Sequence, residues 1–187
     1  MNKTFSGRYK TDPTLLSVIR CLVSPLEEKT MVDLCCETAR FTRNLPFKEK
    51  TFVDVLDWPV EYPGKFLKEN ALTVQGHWDV CLALDAVEHF NYSDGFRLQE
   101  RAALLADTAI FFTPLGILWV DPLDDGKDPR THKSGWTHEN ISSAYDSVEF
   151  LKWHQNYNCG AMIFWKSKGM EKFLEVCDQV EKNRIGD

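Results

Sequence analysis

Short apolar runs alternate with stretches whose apolar positions recur at helical spacing. Residues 30–34 (T-M-V-D-L) are β-rich and nearly continuous, the pattern of a strand covered on both faces. Residues 52–56 predict a second strand, ended by Asp57-Trp58-Pro59, and residues 62–69 read as helix or loop. Residues 71–74 predict a weak third strand, residues 78–84 (W-D-V-C-L-A-L) a strong fourth, and residues 109–113 a fifth closed by Pro114-Leu115-Gly116. Helical spacing marks residues 15–23, which Thr11 or Asp12 caps, with Pro13 in the first turn and Pro25 as the stop. A short helix is expected over 40–44. A longer amphipathic one is expected over 96–106, with Phe96, Leu98, Ala102, Leu105 and Ala106 mostly on one side. Further on, 137–141 reads as a helix start capped by Thr137, and 169–182 as a closing helix. Between them, the apolar runs 148–154 and 161–165 flank a turn over 156–160 and predict a hairpin. Residues 122–134 are polar, rich in turn formers and long for a connection, a candidate lid or substrate loop.

Strands alternating with helices imply an α/β fold. The expected form is a seven-stranded, mainly parallel, doubly wound sheet with an antiparallel edge hairpin and helices on both faces. The chain has 187 residues and is expected to form a single domain, 1–187. Hydrophobic residues make up 43% and charged residues 27%, so a core forms without staples. A net charge of −6, with no long basic run, argues against sustained binding to nucleic acid. No apolar run is long enough to span a bilayer, and the polar first ten residues lack the apolar stretch of a signal peptide. The six cysteines form no C-x-x-C pair and read as reduced thiols, so a cytoplasmic location is expected. No metal site is expected: Cys35 and Cys36 are adjacent, and no second pair has zinc spacing. His138-Glu139 is not a metalloprotease motif, because residue 142 is serine.

The chemistry centres on residues 31–41, M-V-D-L-C-C-E-T-A-R-F. An apolar strand meets an acidic residue, enters a tight turn and is expected to open a helix, the shape of a nucleotide-cofactor loop. Cys35, Glu37 and Ala39 stand where such a loop carries glycine, a residue used there for positive φ and close approach to a ligand. In open α/β sheets ligands bind beyond the carboxyl ends of the strands, so this loop should converge with the ends of the second and fourth strands.

Four segments together resemble the class I S-adenosylmethionine-dependent methyltransferases. Val32-Asp-Leu-Cys-Cys-Glu-Thr-Ala-Arg40 is similar to the family's first motif, Val53-Asp-Val-Leu-Asp57 to its acidic second-strand end, and Trp78 through Asp85-Ala-Val-Glu-His89 to its fourth-strand segment. Thr113-Pro-Leu-Gly116, followed by His132-Lys-Ser-Gly-Trp-Thr137, resembles a fifth-strand exit and loop. The resemblance implies a Rossmann-like methyltransferase fold and S-adenosylmethionine as cofactor. It makes Asp33, Cys35, Glu37, Ala39, Asp54, Asp57 and Asp85 candidate cofactor-binding residues, with Asp54 favoured over Asp57 for the ribose hydroxyls and Trp58 a candidate adenine neighbour. His89 and His132 are the candidate catalytic residues, the first as a general base and the second as a closing group over the acceptor. Glu37 is the serious departure, since a side chain forced into the left-handed region costs roughly 1–2 kcal/mol. Its carboxylate, however, suits a cofactor carrying a sulfonium and an ammonium against one carboxylate. The implied reaction is direct methyl displacement onto a small-molecule acceptor, with a homodimer as a further candidate association. The rival is a methyltransferase-like binding protein that has lost its cofactor site.

Overall fold

The computed structural model describes residue 19 and residues 23–113, 128, 130–137, 150–152 and 161–166. The strands are β1 (Thr30–Leu34), β2 (Glu49–Asp54), β3 (Lys65–Lys68), β4 (Trp78–Leu84), β5 (Ala106–Thr113), β6 (Phe150–Lys152) and β7 (Ala161–Lys166). They form one seven-stranded sheet in the order β3-β2-β1-β4-β5-β7-β6. Strands β1 to β5 run parallel, while β7 is antiparallel to both β5 and β6. The antiparallel edge pair expected from the late apolar runs is therefore present, with β7 as its inner strand, while the expected turn over 156–160 lies outside the described residues.

The central strands are apolar on both faces because both faces are covered. Met31, Phe52, Val80, Leu82, Leu84 and Ile110 pack on one side with Ile19, Val23, Leu26, Leu45 and Phe47. On the other side, Val32, Leu34, Val53, Cys81, Ala83, Ala109 and Phe111 meet the helix α1 (Tyr92–Leu105), which turns Leu98, Ala102 and Leu105 inward. Asn91 caps α1 by accepting the Asp94 amide at 2.9 Å. At the amino ends of the strands, Asp79 on β4 accepts the Thr30 amide at 2.7 Å and its hydroxyl at 2.9 Å, which ties β4 to β1.

Several elements depart from the sequence reading. The third strand is Lys65–Lys68, where helix or loop was expected. Its outer position leaves Phe66 and Leu67 only half-buried between exposed lysines, so hydrophobic pattern does not mark it. Residues 71–74 form a turn instead, in which the amides of Thr73 and Val74 donate to the Asn70 carbonyl, while Ala71 and Val74 are buried because the turn packs on the sheet. No helix forms over 40–44: residues 35–48 are turns and irregular backbone. Strand β2 begins at polar Glu49, before its apolar half, because the ladder pairs Thr30 with Glu49. The helix α1 starts at Tyr92, four residues before the expected start, where Asn91 supplies the cap. The expected helices over 15–23, 137–141 and 169–182 lie wholly or largely outside the described residues, as does most of the 122–134 loop.

Candidate active site

Parallel register brings the carboxyl ends of β1, β2, β4 and β5 to one edge. Leu34 pairs with Val53 and Leu84 with Phe112, so Cys35 stands beside Asp54 and Asp85 beside Thr113. Cys35, Glu37 and Ala39 have φ of 57°, 47° and 53°, all in the left-handed region. The loop thus follows a glycine-type path without glycine. Each such residue costs roughly 1–2 kcal/mol, so surrounding structure must over-determine the turn. Asp85, just after β4, also has positive φ, 52°.

The restraints are specific. The Asp54 carboxylate accepts the Glu37 amide at 3.0 Å through Oδ2 and the Leu56 amide at 2.9 Å through Oδ1. Tyr62 donates its hydroxyl to the Glu37 carbonyl at 2.5 Å, and its ring stacks on Phe66 with centroids 4.6 Å apart. Thr42 donates its hydroxyl to Asp33 Oδ2 at 2.5 Å. The amides of Thr42 and Arg43 donate back to the Ala39 carbonyl at 3.1 and 2.8 Å, closing a single turn.

Asp33 is buried, and burial pushes its carboxyl up to about 7, with the Thr42 hydrogen bond opposing and neighbouring Asp54 reinforcing the rise. Asp85 is pushed up to about 6 by burial, partly offset by Arg40. Arg40 places Nη2 3.1 Å from Asp85 Oδ2 and Nε 3.7 Å from Glu37 Oε2, so one guanidinium links the β1 loop to the β4 loop. Asp57 makes an exposed ion pair with Lys68, the last residue of β3. Trp58 keeps its indole N–H buried without an acceptor.

Past Asp85, a 3₁₀ turn over Val87–His89 carries the next candidates. Glu88 is 1% exposed, and its Oε2 accepts the Thr113 hydroxyl at 3.0 Å. Burial, reinforced by Asp85, holds its carboxyl well above the usual range. The Glu88 carbonyl accepts the amides of Lys133 and Ser134 at 2.7 and 3.2 Å, fastening the segment that carries His132. His89 and His132 meet edge to face, with centroids 4.8 Å apart. Burial, followed by the charge of His132, pushes His89 down to about 4, so its imidazole is neutral near pH 7. Its Nδ1 lies 3.3 Å from the Thr131 carbonyl, the geometry of an N–H donor that leaves Nε2 as the basic nitrogen. Trp136 does not line this edge: it is fully buried against Phe96 and Tyr92, with Nε1 donating to Ser134 Oγ at 2.9 Å.

The structure therefore gathers Asp33, Cys35, Glu37, Ala39, Asp54, Asp85, His89 and His132 at one end of the sheet, with Asp57 paired to Lys68 at the end of β3. Sequence reasoning missed Arg40, Thr42 and Tyr62. Their roles depend on contacts across the loop, and no local spacing signals them. A separate hollow of about 350 Å³, lined by Ser24, Leu26, Glu27 and Pro46, lies near the amino ends of β1 and β2, far from this chemistry. No helix among the described residues is long and apolar enough to cross a membrane.

No family model matches the chain, and neither does any curated protein sequence. Solved structures do. Magnesium protoporphyrin IX methyltransferase from Synechocystis PCC 6803, with bound S-adenosylhomocysteine, superposes with a TM-score of 0.61 at 12% identity, over 81% of this chain and 79% of that one. The N-methyltransferase NodS from Bradyrhizobium japonicum WM9, in complex with S-adenosylhomocysteine, gives 0.59 at 8% identity over 86% and 90%. The small RNA methyltransferase HEN1 gives 0.60 at 15% identity, over 89% of this chain but 27% of that one.

Proposed function

We propose that this chain, which has the Rossmann-like class I methyltransferase fold, binds S-adenosylmethionine at the carboxyl ends of β1, β2 and β4 and transfers its methyl group to a small acceptor. One observation carries this reading: Cys35, Glu37 and Ala39 all hold the left-handed backbone that glycine normally supplies, at φ of 47–57°. A loop with no ligand to cradle has no reason to keep three strained residues on that path. The neighbours crystallised with S-adenosylhomocysteine support the same cofactor.

The residues present fit that ligand. Asp54 fixes the loop through the Glu37 amide and stands at the end of β2, where a ribose would arrive. Asp33, Glu37 and Asp85 supply carboxylates for a cationic ligand, and the buried indole N–H of Trp58 awaits an acceptor. Bound S-adenosylmethionine supplies an activated methyl on its sulfonium. The chain then has to hold an acceptor in line and exclude water. His89, neutral near pH 7, can take a proton at Nε2 from an acceptor hydroxyl or amine. The negative net charge favours a small acceptor over a polyanion. The free thiols of Cys35, Cys36 and Cys81 suit a cytoplasmic location.

Calorimetric titration with S-adenosylmethionine and S-adenosylhomocysteine tests the reading. Micromolar binding is expected, weakened at least about tenfold by Asp54→Ala, which frees the Glu37 amide (about 1.4 kcal/mol or more). A folded protein that binds neither compound at millimolar concentration sinks it. A cofactor-free binding role is favoured by one observation, the Arg40 guanidinium joining Glu37 to Asp85 across the two loops. In that case Arg40→Ala would leave the absence of binding unchanged.

A further inference from the structure

We propose, resting on the cofactor reading above, that Tyr62 is a positioning residue for the cofactor: the group that lets the loop after β1 keep a ligand-cradling path without glycine. Tyr62 lies in the connection between β2 and β3, outside the loop it acts on. Its hydroxyl donates to the Glu37 carbonyl at 2.5 Å, while Asp54 Oδ2 accepts the Glu37 amide at 3.0 Å. That amide belongs to the peptide before the Glu37 Cα, and that carbonyl to the peptide after it. With both planes held from outside the loop, the two torsions at Glu37 are fixed, and its φ of 47° is maintained. One hydrogen bond contributes at most about what a single left-handed residue costs, so one leaves the turn marginal and two secure it.

The surroundings fix the direction of that hydroxyl. The Tyr62 ring stacks on Phe66 of β3, with centroids 4.6 Å apart and planes 4° from parallel, and tilts on Phe52 of β2 at 5.2 Å. Pro63 favours extended backbone at Tyr62. Gly64 packs so closely on β2 that a Cβ there would clash with the Lys50 carbonyl. Cys36 Sγ also donates to the Glu37 carbonyl, at 3.7 Å, a weaker bond from within the loop. Burial, followed by the influence of Cys36, holds the Tyr62 hydroxyl well above its usual range, so it remains a donor near neutral pH. The peptide after Glu37 is trans, so its N–H points opposite to its C=O. Drawing the Glu37 carbonyl toward Tyr62 therefore turns the Thr38 amide the other way. Tyr62 thus sets the direction of a loop amide without entering the loop.

The test is calorimetric titration of the full chain with S-adenosylhomocysteine, in a cycle of Tyr62→Phe, Glu37→Gly and the double variant. With Glu37 present, Tyr62→Phe removes one hydroxyl and should weaken binding about five- to tenfold. In the Glu37→Gly background the same change should alter binding less than about twofold, because glycine takes the left-handed path unaided. Near-ultraviolet dichroism checks that each variant is folded. A merely structural tyrosine would lower unfolding midpoints without this dependence on residue 37. Equal losses in the two backgrounds, or no loss in either, overturn the proposal and leave the cofactor reading intact. Binding by the Glu37→Gly variant alone overturns it too, since Tyr62 then does not make up for glycine. If neither background binds the compound at millimolar concentration, the cofactor reading fails and this role fails with it.

Discussion

Glu37 shows how a residue unsuited to its backbone is kept in place. Its φ of 47° is a glycine conformation. Its amide is held by Asp54, its carbonyl by Tyr62, and its carboxylate faces Arg40. Glu37→Gly is expected to stabilise the protein by about 1 kcal/mol, because relief of strain exceeds the added chain entropy. Urea unfolding midpoints check this, and a fall in stability would show that the Arg40 pair outweighs the strain. Asp33 yields a prediction about pH. Its carboxyl rises from 3.8 to about 7 on folding, so the native state binds the extra proton between those values. Stability should therefore be fullest below about pH 4 as far as this group is concerned, and should fall as pH rises through about 7. Asp33→Asn retains an acceptor for Thr42 and removes the titration. It should match the parent below about pH 4 and exceed its unfolding midpoint increasingly from there to pH 8; parallel profiles for the two proteins would count against the assignment.

At the scale of elements, the contact between α1 and the segment of residues 130–137 decides more than either sequence suggests. Gly95 lies under the Trp136 ring: an added Cβ would meet Trp136 Cζ2 at 2.6 Å and Val87 Cγ2 at 3.2 Å. Gly95→Ala would ordinarily strengthen a helix by about 1 kcal/mol. Here overpacking should reverse the sign, destabilising by roughly 1–3 kcal/mol and loosening His132 with its anchor. Thermal unfolding read by tryptophan fluorescence distinguishes the two signs. Such cross-element contacts also explain what the sequence reveals and what it hides. Strands β1 and β4 are legible, with bounds as expected, because burial on both faces leaves an unbroken apolar run. Strand β3 is hidden because it is an outer strand built of Lys65, Phe66, Leu67 and Lys68. The ends of β1, β2 and β4 identify the Asp33, Asp54 and Asp85 edge in advance. The grouping of Glu88 with His132 is invisible there, since it depends on amides of Lys133 and Ser134 reaching back to one carbonyl.

Among the described residues, at the scale of the whole molecule, the two sides of the sheet are dressed differently. The helix α1 covers one, while between β1 and β2 the chain crosses with turns alone over 35–48. That crossing has a consequence for what the sheet's carboxyl edge attracts. A helix beginning after β1 would aim about half a positive charge at anything lying there, which suits phosphates. With turns in its place, the local field among the described residues comes from Asp33, Glu37, Asp54 and Asp85, set against the guanidinium of Arg40 and, at Glu37, that of Arg130. The edge is thus a weak cation trap. At pH 8, raising ionic strength from ~0.02 to ~0.5 M should weaken S-adenosylmethionine binding several-fold, because mobile ions screen charges beyond a few ångströms. S-adenosylhomocysteine, which lacks the sulfonium charge, should respond less in the same titration. An equal response from both would mean that shape, rather than charge, sets the preference of this edge.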